Sequence, residues 1–454
     1  MTKKALEGTV AKLMAENERL KEELAYVKFE LEELKSKRFK SNKKKPPDDA
    51  GAPPAPPVKK RGGLFGHIGW FRKKPKTIDR VEEIRLDKCP CCGSKDLTEC
   101  EKTHDHIQED IILPKIETTL YRKHRYYCKH CKTVVSSKGK AEIPASRIGP
   151  KAKAFAAFLR FGIKISERDV ALFFRRAFNL KIASSSIGGF MEALKKEALP
   201  VYNDLLSSLK KGSFIHADET GQPLDGINHW LWKLSNKKIC YSHIDKGRGQ
   251  AVVEKLLGDK YSGVLISDFL SAYNKIKAKA KQRCLAHISR DLDKVMEYWH
   301  DDKEIMRYCD RLKKIFEDAI QLYREYKGKG WDADYRRRRE LIAPALKDFN
   351  FPNPNKRILN RFAKRLKRHK DEMLTFLHYK DIDYHNNHAE QQIRHDVIFR
   401  KITYGNRSIG GAENHSVIMS ILQTAKLNSI DPLDAIEKIL LKSPQNPLLK
   451  ALSP

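Results

Sequence analysis

From Leu6 to Leu34 the apolar residues recur at alternating intervals of four and three: Leu6, Val10, Leu13, Leu20, Leu24, Val27, Leu31 and Leu34, with Asn17 on the same seam. A heptad of this kind predicts a coiled-coil helix over residues 1–36. One polar seam residue costs stability but selects register and pairing, so a homodimer or higher assembly is expected. The alternative is an amphipathic helix packed on its own protein.

Apolar periodicity stops at 37–80 and resumes afterwards in two styles. Over 146–210, IGPKAKAFAAFLRFG and ISERDVALFFRRAFN read as helices, followed by a Ser184–Ser186 cap and a helix over IGGFMEALKKEA. Helix, short turn and helix, with Arg175 and Arg176, fits a helix-turn-helix DNA reader or a helical spacer equally. From Gly212 the pattern becomes strand-like: SFIHAD, HWLWKLSN and KKICYSHID, then a helix, GQAVVEKLLGD, and a strand, GVLISD. This β-β-β-α-β order is that of a ribonuclease H-like core, and KQRCLAHISRDLDKV continues it across 211–300. Residues 301–380 turn helical and basic, as an insertion whose charge suits DNA or a solvated face. Residues 381–454 read as a helix capped by Asn386 or Asn387, a glycine-containing loop and two closing helices, the last starting at Asp431-Pro432. The predicted class is therefore multidomain α+β.

Composition adds a partner. The chain has 454 residues and a formal charge of +32, which calls for a polyanion, nucleic acid first. No apolar run approaches the ~20 residues that span a bilayer, and no secretory segment is visible, so a cytoplasmic protein with no membrane partner is expected. Between Ser36 and Lys76, thirteen basic residues stand against two acids around PPDDAGAPPAPP, a flexible linker able to neutralise phosphates. A solvated tail is the plainer reading of the same run.

Nine cysteines include two C-x-x-C pairs, Cys89/Cys92 and Cys128/Cys131, with 35 residues between them. Two such turns complete a tetrahedral structural Zn²⁺ site, a zinc ribbon over 81–145, with DHIQEDIILPKIETTLYRKHRYYC read as its strands. Cys91 and Cys100 are spare, and either could replace a neighbour. Cys284 and His287 also have ligand spacing, but two ligands make no site, and a core role is expected of them.

Three distant carboxylates carry the chemistry. Asp218 and Asp268 each end an apolar, β-branched run, and Glu390 lies one turn into a helix. Two strand acids and one helix acid can converge on a pair of Mg²⁺ (or Mn²⁺) ions, which take carboxylate and phosphate oxygens. Each acid alone is as well explained as a turn residue or helix cap.

GLFGHIGWFRKKP, CPCCGSKDL, HADETGQPLDGINHWLWKLS, SDFLSAYN, CLAHISRDL, NNHAEQQIRHDVIFRK and LQTAKLNSIDPLDAI, in this order, resemble the DDE transposases of bacterial and archaeal insertion sequences, of the insertion-sequence-sixty-six type. The resemblance implies a catalytic triad of Asp218, Asp268 and Glu390. It also implies DNA contacts from Arg394, Arg400 and Lys401, transposon ends and target DNA as partners, companion proteins of the element, and a prokaryotic, nucleoid-associated location. Gln391 stands where the family usually has Arg, and His385 where Asp is common. The expected activity is DNA cleavage followed by transfer of the freed 3′-hydroxyl strand to target. The alternatives are a metal-dependent nuclease without joining and a catalytically silent zinc-ribbon DNA-binding protein.

Overall fold

The computed structural model describes residues 3–38, 77, 78, 80, 81, 87, 90, 91, 93–95, 116–349 and 356–448. They belong to two compact units, Met1–Lys37 with Lys115–Pro454, and Arg38–Pro114. In the latter, Pro90 and Cys91 form a turn and Gly93 takes a φ of +77°. Cys89, Cys92, Cys100 and residues 39–76 of the basic linker lie outside the described residues.

The larger unit opens with one long helix, α1 (Lys3–Arg38). It uses two faces. Tyr26 and Phe29 are buried, Phe29 against the rings of Tyr298 and Trp299 at 5.2 and 4.8 Å, and Arg357 lies over Tyr26 at 4.4 Å. The heptad residues Val10, Leu13, Leu20, Leu24, Val27, Leu31 and Leu34 all remain exposed. One face of the helix thus packs on its own protein, while the heptad face stays exposed.

Next come β1 (Tyr126–Cys128) and β2 (Thr133–Val135), an antiparallel hairpin. Residues 116–125 form no strand, so the ribbon strands expected there are confined, among the described residues, to this hairpin. Helix α2 (Pro150–Ala157) begins with Pro at its first position and runs into a π-helical turn, Phe158–Ile163. Helix α3 (Glu167–Phe178) is capped by the Ser166 side chain, and α4 spans Ser184–Lys211. The expected serine cap is corrected here: Ala183 holds the N-cap position of α4, and Ser184–Ser186 form its first turn.

The sheet consists of β3 (Phe214–Gly221), β4 (Trp230–Ser235), β5 (Cys240–Asp245), β6 (Lys260–Ser267) and β7 (Lys277–Arg283), with α5 (Gln250–Leu257) crossing from β5 to β6. Its order is β5-β4-β3-β6-β7, antiparallel among the first three strands and parallel from β3 through β7. Alternation along β3 divides two cores. Ile215 and Ala217 join a cluster with α4 and α5, while Phe214 joins one with Val264, Ile266 and the helices that follow β7.

Those helices are α6 (Leu285–Tyr298), α7 (Lys303–Tyr326), α8 (Ala333–Lys347) and α9 (Arg357–His369). They bury one apolar stripe each, including Leu292, Leu312, Tyr335 and Phe362, and leave Arg336, Arg337 and Arg339 on or near the surface. The chain closes with α10 (Asn387–Thr403), α11 (Ile409–Leu427) and α12 (Pro432–Leu440), the last capped by Asp431 as its Asp-Pro start predicts.

Helix α11 solves an edge problem. The free amides of edge strand β5 need partners, and Ser416, Ser420 and Thr424, spaced four apart on one helix face, accept from Ile244, Ser242 and Cys240 at 3.1, 2.8 and 3.1 Å. The edge is thereby closed by side chains, and α11 is locked parallel to the sheet.

Candidate active site

Strand β3 carries Asp218 at its middle, not at its end. Pairing with β4 continues from Asp218↔Lys233 to Gly221↔Trp230, extending the strand beyond the sequence estimate. The parallel register Phe214↔Val264 and His216↔Ile266, carried two residues on, puts Asp218 level with Asp268, the residue after β6. Asp268 is held by its turn: its Oδ1 accepts from Leu270 N at 2.9 Å, and its carbonyl accepts from Arg283 Nη1 at 2.8 Å. Arg283 is fully buried and its Nε donates to Glu372 at 2.6 Å, so a side chain from β7 fixes the loop.

Glu390 lies in the first turn of α10. The N-cap residue Asn386 makes no capping bond; its side chain reaches the sheet, Nδ2 donating to Ala217 O at 2.8 Å and Oδ1 accepting from His216 Nδ1 at 3.1 Å. Its own amide donates to Cys284 Sγ at 3.1 Å. One buried asparagine therefore binds the start of α10 to the residue before Asp218. Asn387 is already the first residue of α10, so of the two candidates Asn386 holds the N-cap position, without a side-chain capping bond.

The electrostatics follow from this crowding. Burial, then the charges of Glu219, Asp268 and Glu390, push the Asp218 carboxyl up to about 8. Like charges held together in a partly dry site favour protonation unless a cation neutralises them. Glu219 belongs to the same cluster, with a side chain only 4% exposed. It accepts from Arg248 and Tyr273, both at 3.1 Å, yet burial and Asp268 still push it up to about 7. Sequence reasoning passed over Glu219 because neighbouring strand residues face opposite sides. Asp268, at a strand end, is reached from both.

Glu390 Oε1 is shut from solvent and has no hydrogen-bond partner; Arg290 and His287 of α6 lie at 3.6 and 3.8 Å. An orphaned carboxylate oxygen on Glu390, in a cluster where Asp218 and Glu219 are pushed up, suits a hard divalent cation. Farther along α10, Arg394 and Lys401 are exposed, and the helix runs unbroken past both. Arg400 is half-buried, and burial lowers its pKa. It packs beside β3 and the loop after α10, where a Cβ added at Gly221 or Gly405 would meet it at 3.9 or 3.7 Å.

Of the four expected zinc ligands, Cys128 ends β1 and Cys131 sits in the hairpin turn. A hydrogen bond with Thr133, at 2.9 Å between Sγ and Oγ1, and then one with Cys128, lower the Cys131 pKa.

The chain is 23% identical to uncharacterized protein y4qI of Sinorhizobium fredii over 81% of its own length and 73% of the relative's. It is 22% identical to y4hP of the same organism, over 84% and 76%. These relatives carry no assigned activity. The sequence model of the transposase IS66 family matches residues 145–414, from the helices before the sheet through the helix that bears Glu390 and into α11. The chain belongs to the IS66 family of transposases.

Proposed function

We propose that this transposase binds transposon ends, cuts a phosphodiester bond and transfers the freed 3′-hydroxyl strand to target DNA, with Asp218, Asp268 and Glu390 as its catalytic carboxylates. The observation that carries the reading is their convergence from β3, the end of β6 and the first turn of α10, with Asp218 pushed up to about 8 partly by the other two. The strand order β5-β4-β3-β6-β7 supports a ribonuclease H-like catalytic core.

Asp218, Asp268 and Glu390 would hold Mg²⁺ or Mn²⁺, which when bound supplies an activated attacking oxygen and a stabilised leaving oxygen. The protein's own contribution is positional. Arg283 fixes the Asp268 loop, Asn386 fixes α10 against β3, and Arg248 and Tyr273 hold Glu219 beside the pair. Arg394 and Lys401, exposed on the same helix as Glu390, are placed to take DNA phosphates; half-buried Arg400 is the weaker candidate.

Two further parts complete the reading. Cys89, Cys92, Cys128 and Cys131 would hold a structural Zn²⁺ in a ribbon, supported by the thiol-bearing β1–β2 hairpin. The exposed heptad of α1 would pair two or more protomers, supported by the burial of its other face. Companion proteins of the element and a nucleoid-associated place in a prokaryotic cytoplasm belong to the same proposal.

The test is incubation of the full chain with Mg²⁺ or Mn²⁺, labelled DNA from the gene's flanks and a target plasmid, beside Asp268→Asn. Metal-dependent joining that disappears in the variant is expected. Cleavage without joining would make the protein a nuclease, and salt-sensitive binding without cleavage, even with companion proteins, would make it a binding protein.

A further inference from the structure

Cys284 and His287 acquire in the fold the third ligand their sequence lacks. Cys284 is the N-cap residue of α6 and His287 lies in its first turn, so both side chains leave the helix start together. Glu390 arrives from α10, and a thiol sulfur, a ring nitrogen and a carboxylate oxygen then all lie within 4.8 Å of one another. Ligands around tetrahedral Zn²⁺, at about 2.0–2.3 Å from the metal, stand roughly 3.3–3.8 Å apart. His287 Nδ1 and Glu390 Oε1 are already 3.8 Å apart.

The backbone beneath these donors is pinned independently of any ion. Cys284 N donates to Ser267 O at 2.9 Å, Leu285 N to Tyr384 O at 2.9 Å, and His287 N to Cys284 O at 3.2 Å. His287 Nδ1 and Glu390 Oε1 are both closed to solvent and lack hydrogen-bond partners, an arrangement that costs free energy unless something occupies the space between them.

We propose that Cys284, His287 and Glu390 form a second cation site, selective for a borderline divalent ion of the Zn²⁺ class over Mg²⁺. Thiolate and imidazole favour such ions, whereas Mg²⁺ takes oxygen. Binding expels the Cys284 thiol proton to solvent, leaving a thiolate–metal bond. Three protein ligands leave one coordination position open. An ion here occupies the Glu390 carboxylate, so, granted the proposed triad, Zn²⁺ and the catalytic cation compete for one residue and Zn²⁺ is an inhibitor.

The test reads metal uptake by the full chain without DNA, using Co²⁺ as the probe. The C-x-x-C pairs also bind Co²⁺, so the difference between proteins is the signal. Wild type is expected to take up one equivalent more than Cys284→Ser, with a stronger thiolate–Co²⁺ charge-transfer band. His287→Ala, at a partly exposed position outside the proposed triad, covers the case in which Cys284→Ser misfolds. It should weaken the extra equivalent by at least the ~10-fold that loss of an outer partner costs. Equal uptake and identical absorption in wild type and all folded variants would overturn the site and leave Cys284 a core residue. Strand joining is scored separately, so a failure of the triad proposal shows there and leaves the uptake result standing.

Discussion

Asn386 Nδ2 donates to Ala217 O at 2.8 Å, joining the residue before the Glu390-bearing helix to the residue before Asp218. Both groups are buried, and Asn386 also holds His216 and Cys284. Asn386 is therefore one of the side chains that set Glu390 against Asp218, beside the Lys233–Asp396 pair between β4 and α10.

Asn386→Ala should leave Ala217 O and the His216 donor without partners, costing about 1–3 kcal/mol of stability. Strand joining should fall about 10²-fold, because a small misplacement in an active site is expensive. Asn387→Ala, at an exposed position, should stay within about 0.5 kcal/mol. Chemical denaturation and joining rates measured side by side decide it; equal behaviour of the two variants would sink the positioning role.

Asp218→Asn separates stability from activity. Because the folded carboxyl titrates near 8 against an ordinary 3.8, the folded state keeps a proton that the unfolded chain releases, and stability drops as pH rises through that window. Without divalent metal at pH 8, the variant should be more stable than wild type by on the order of 2–5 kcal/mol, with little difference near pH 4. Mg²⁺ should raise the melting temperature of wild type and not of the variant. A variant less stable than wild type at pH 8 would contradict the crowding of acids.

How far the sequence carried this reading differs by residue. Asp218, Asp268 and Glu390 stood out because each lies beside an apolar run or in a helix start whose periodicity is plain; the continuation of β3 past Asp218 was not visible, and the register of β3 on β6 brings the two aspartates level. The choice of Asn386 over Asn387 was not legible, since a helix cap and a tether to a distant strand require the same amide. The two faces of α1 overlap in spacing: Leu24 and Val27 belong to the heptad, while Tyr26 and Phe29 face inward. The third ligand beside Cys284 and His287 was hidden by chain separation, and so was the partner of Lys233, for no local pattern announces an ion pair between β4 and α10.

That pair is wholly buried. Lys233 Nζ lies 2.7 Å from Asp396 Oδ2, and His415 Nε2 donates to Oδ1 at 2.9 Å. Burial opposes ionisation of Asp396, but Lys233 and His415 hold its carboxyl well below the usual range. Asp396→Ala should destabilise the protein by about 3–5 kcal/mol, because it strands a buried lysine. Lys233→Met with Asp396→Leu should recover most of the loss. Denaturation of the single and double variants tests this, and a double variant no better than Asp396→Ala would refute it.

His216 supplies a pH limit. Burial, then the neighbouring His388, lowers its pKa to about 4, while the unfolded value is 6.5. Between these values the unfolded chain binds a proton that the folded one does not, so this contribution is complete above pH 6.5 and falls away as pH drops toward 4. The stability difference between wild type and His216→Gln should shrink by ~2 kcal/mol from pH 7.5 to pH 5. A difference that stays constant with pH would mean that His216 charges without cost.

The heptad face of α1 predicts an oligomer that can be broken without unfolding the protomer. Leu20 and Leu24 are about half exposed, at 54% and 55%, while Tyr26 and Phe29 are sealed against α6 and α9 by ring contacts and by the Arg361–Glu33 pair at 3.2 Å. Placing lysine on the seam, Leu20→Lys with Leu24→Lys, would bury like charges in a paired coil but meet only water in a single chain. Sedimentation should therefore show loss of the dimer at concentrations where wild type is paired, with the melting transition of the sheet-bearing unit preserved. Phe29→Ala should do the reverse, costing about 3–5 kcal/mol of packing while leaving the seam able to pair. If the lysine variant instead stays dimeric, the exposed leucines are not the contact, and pairing must be sought on another surface.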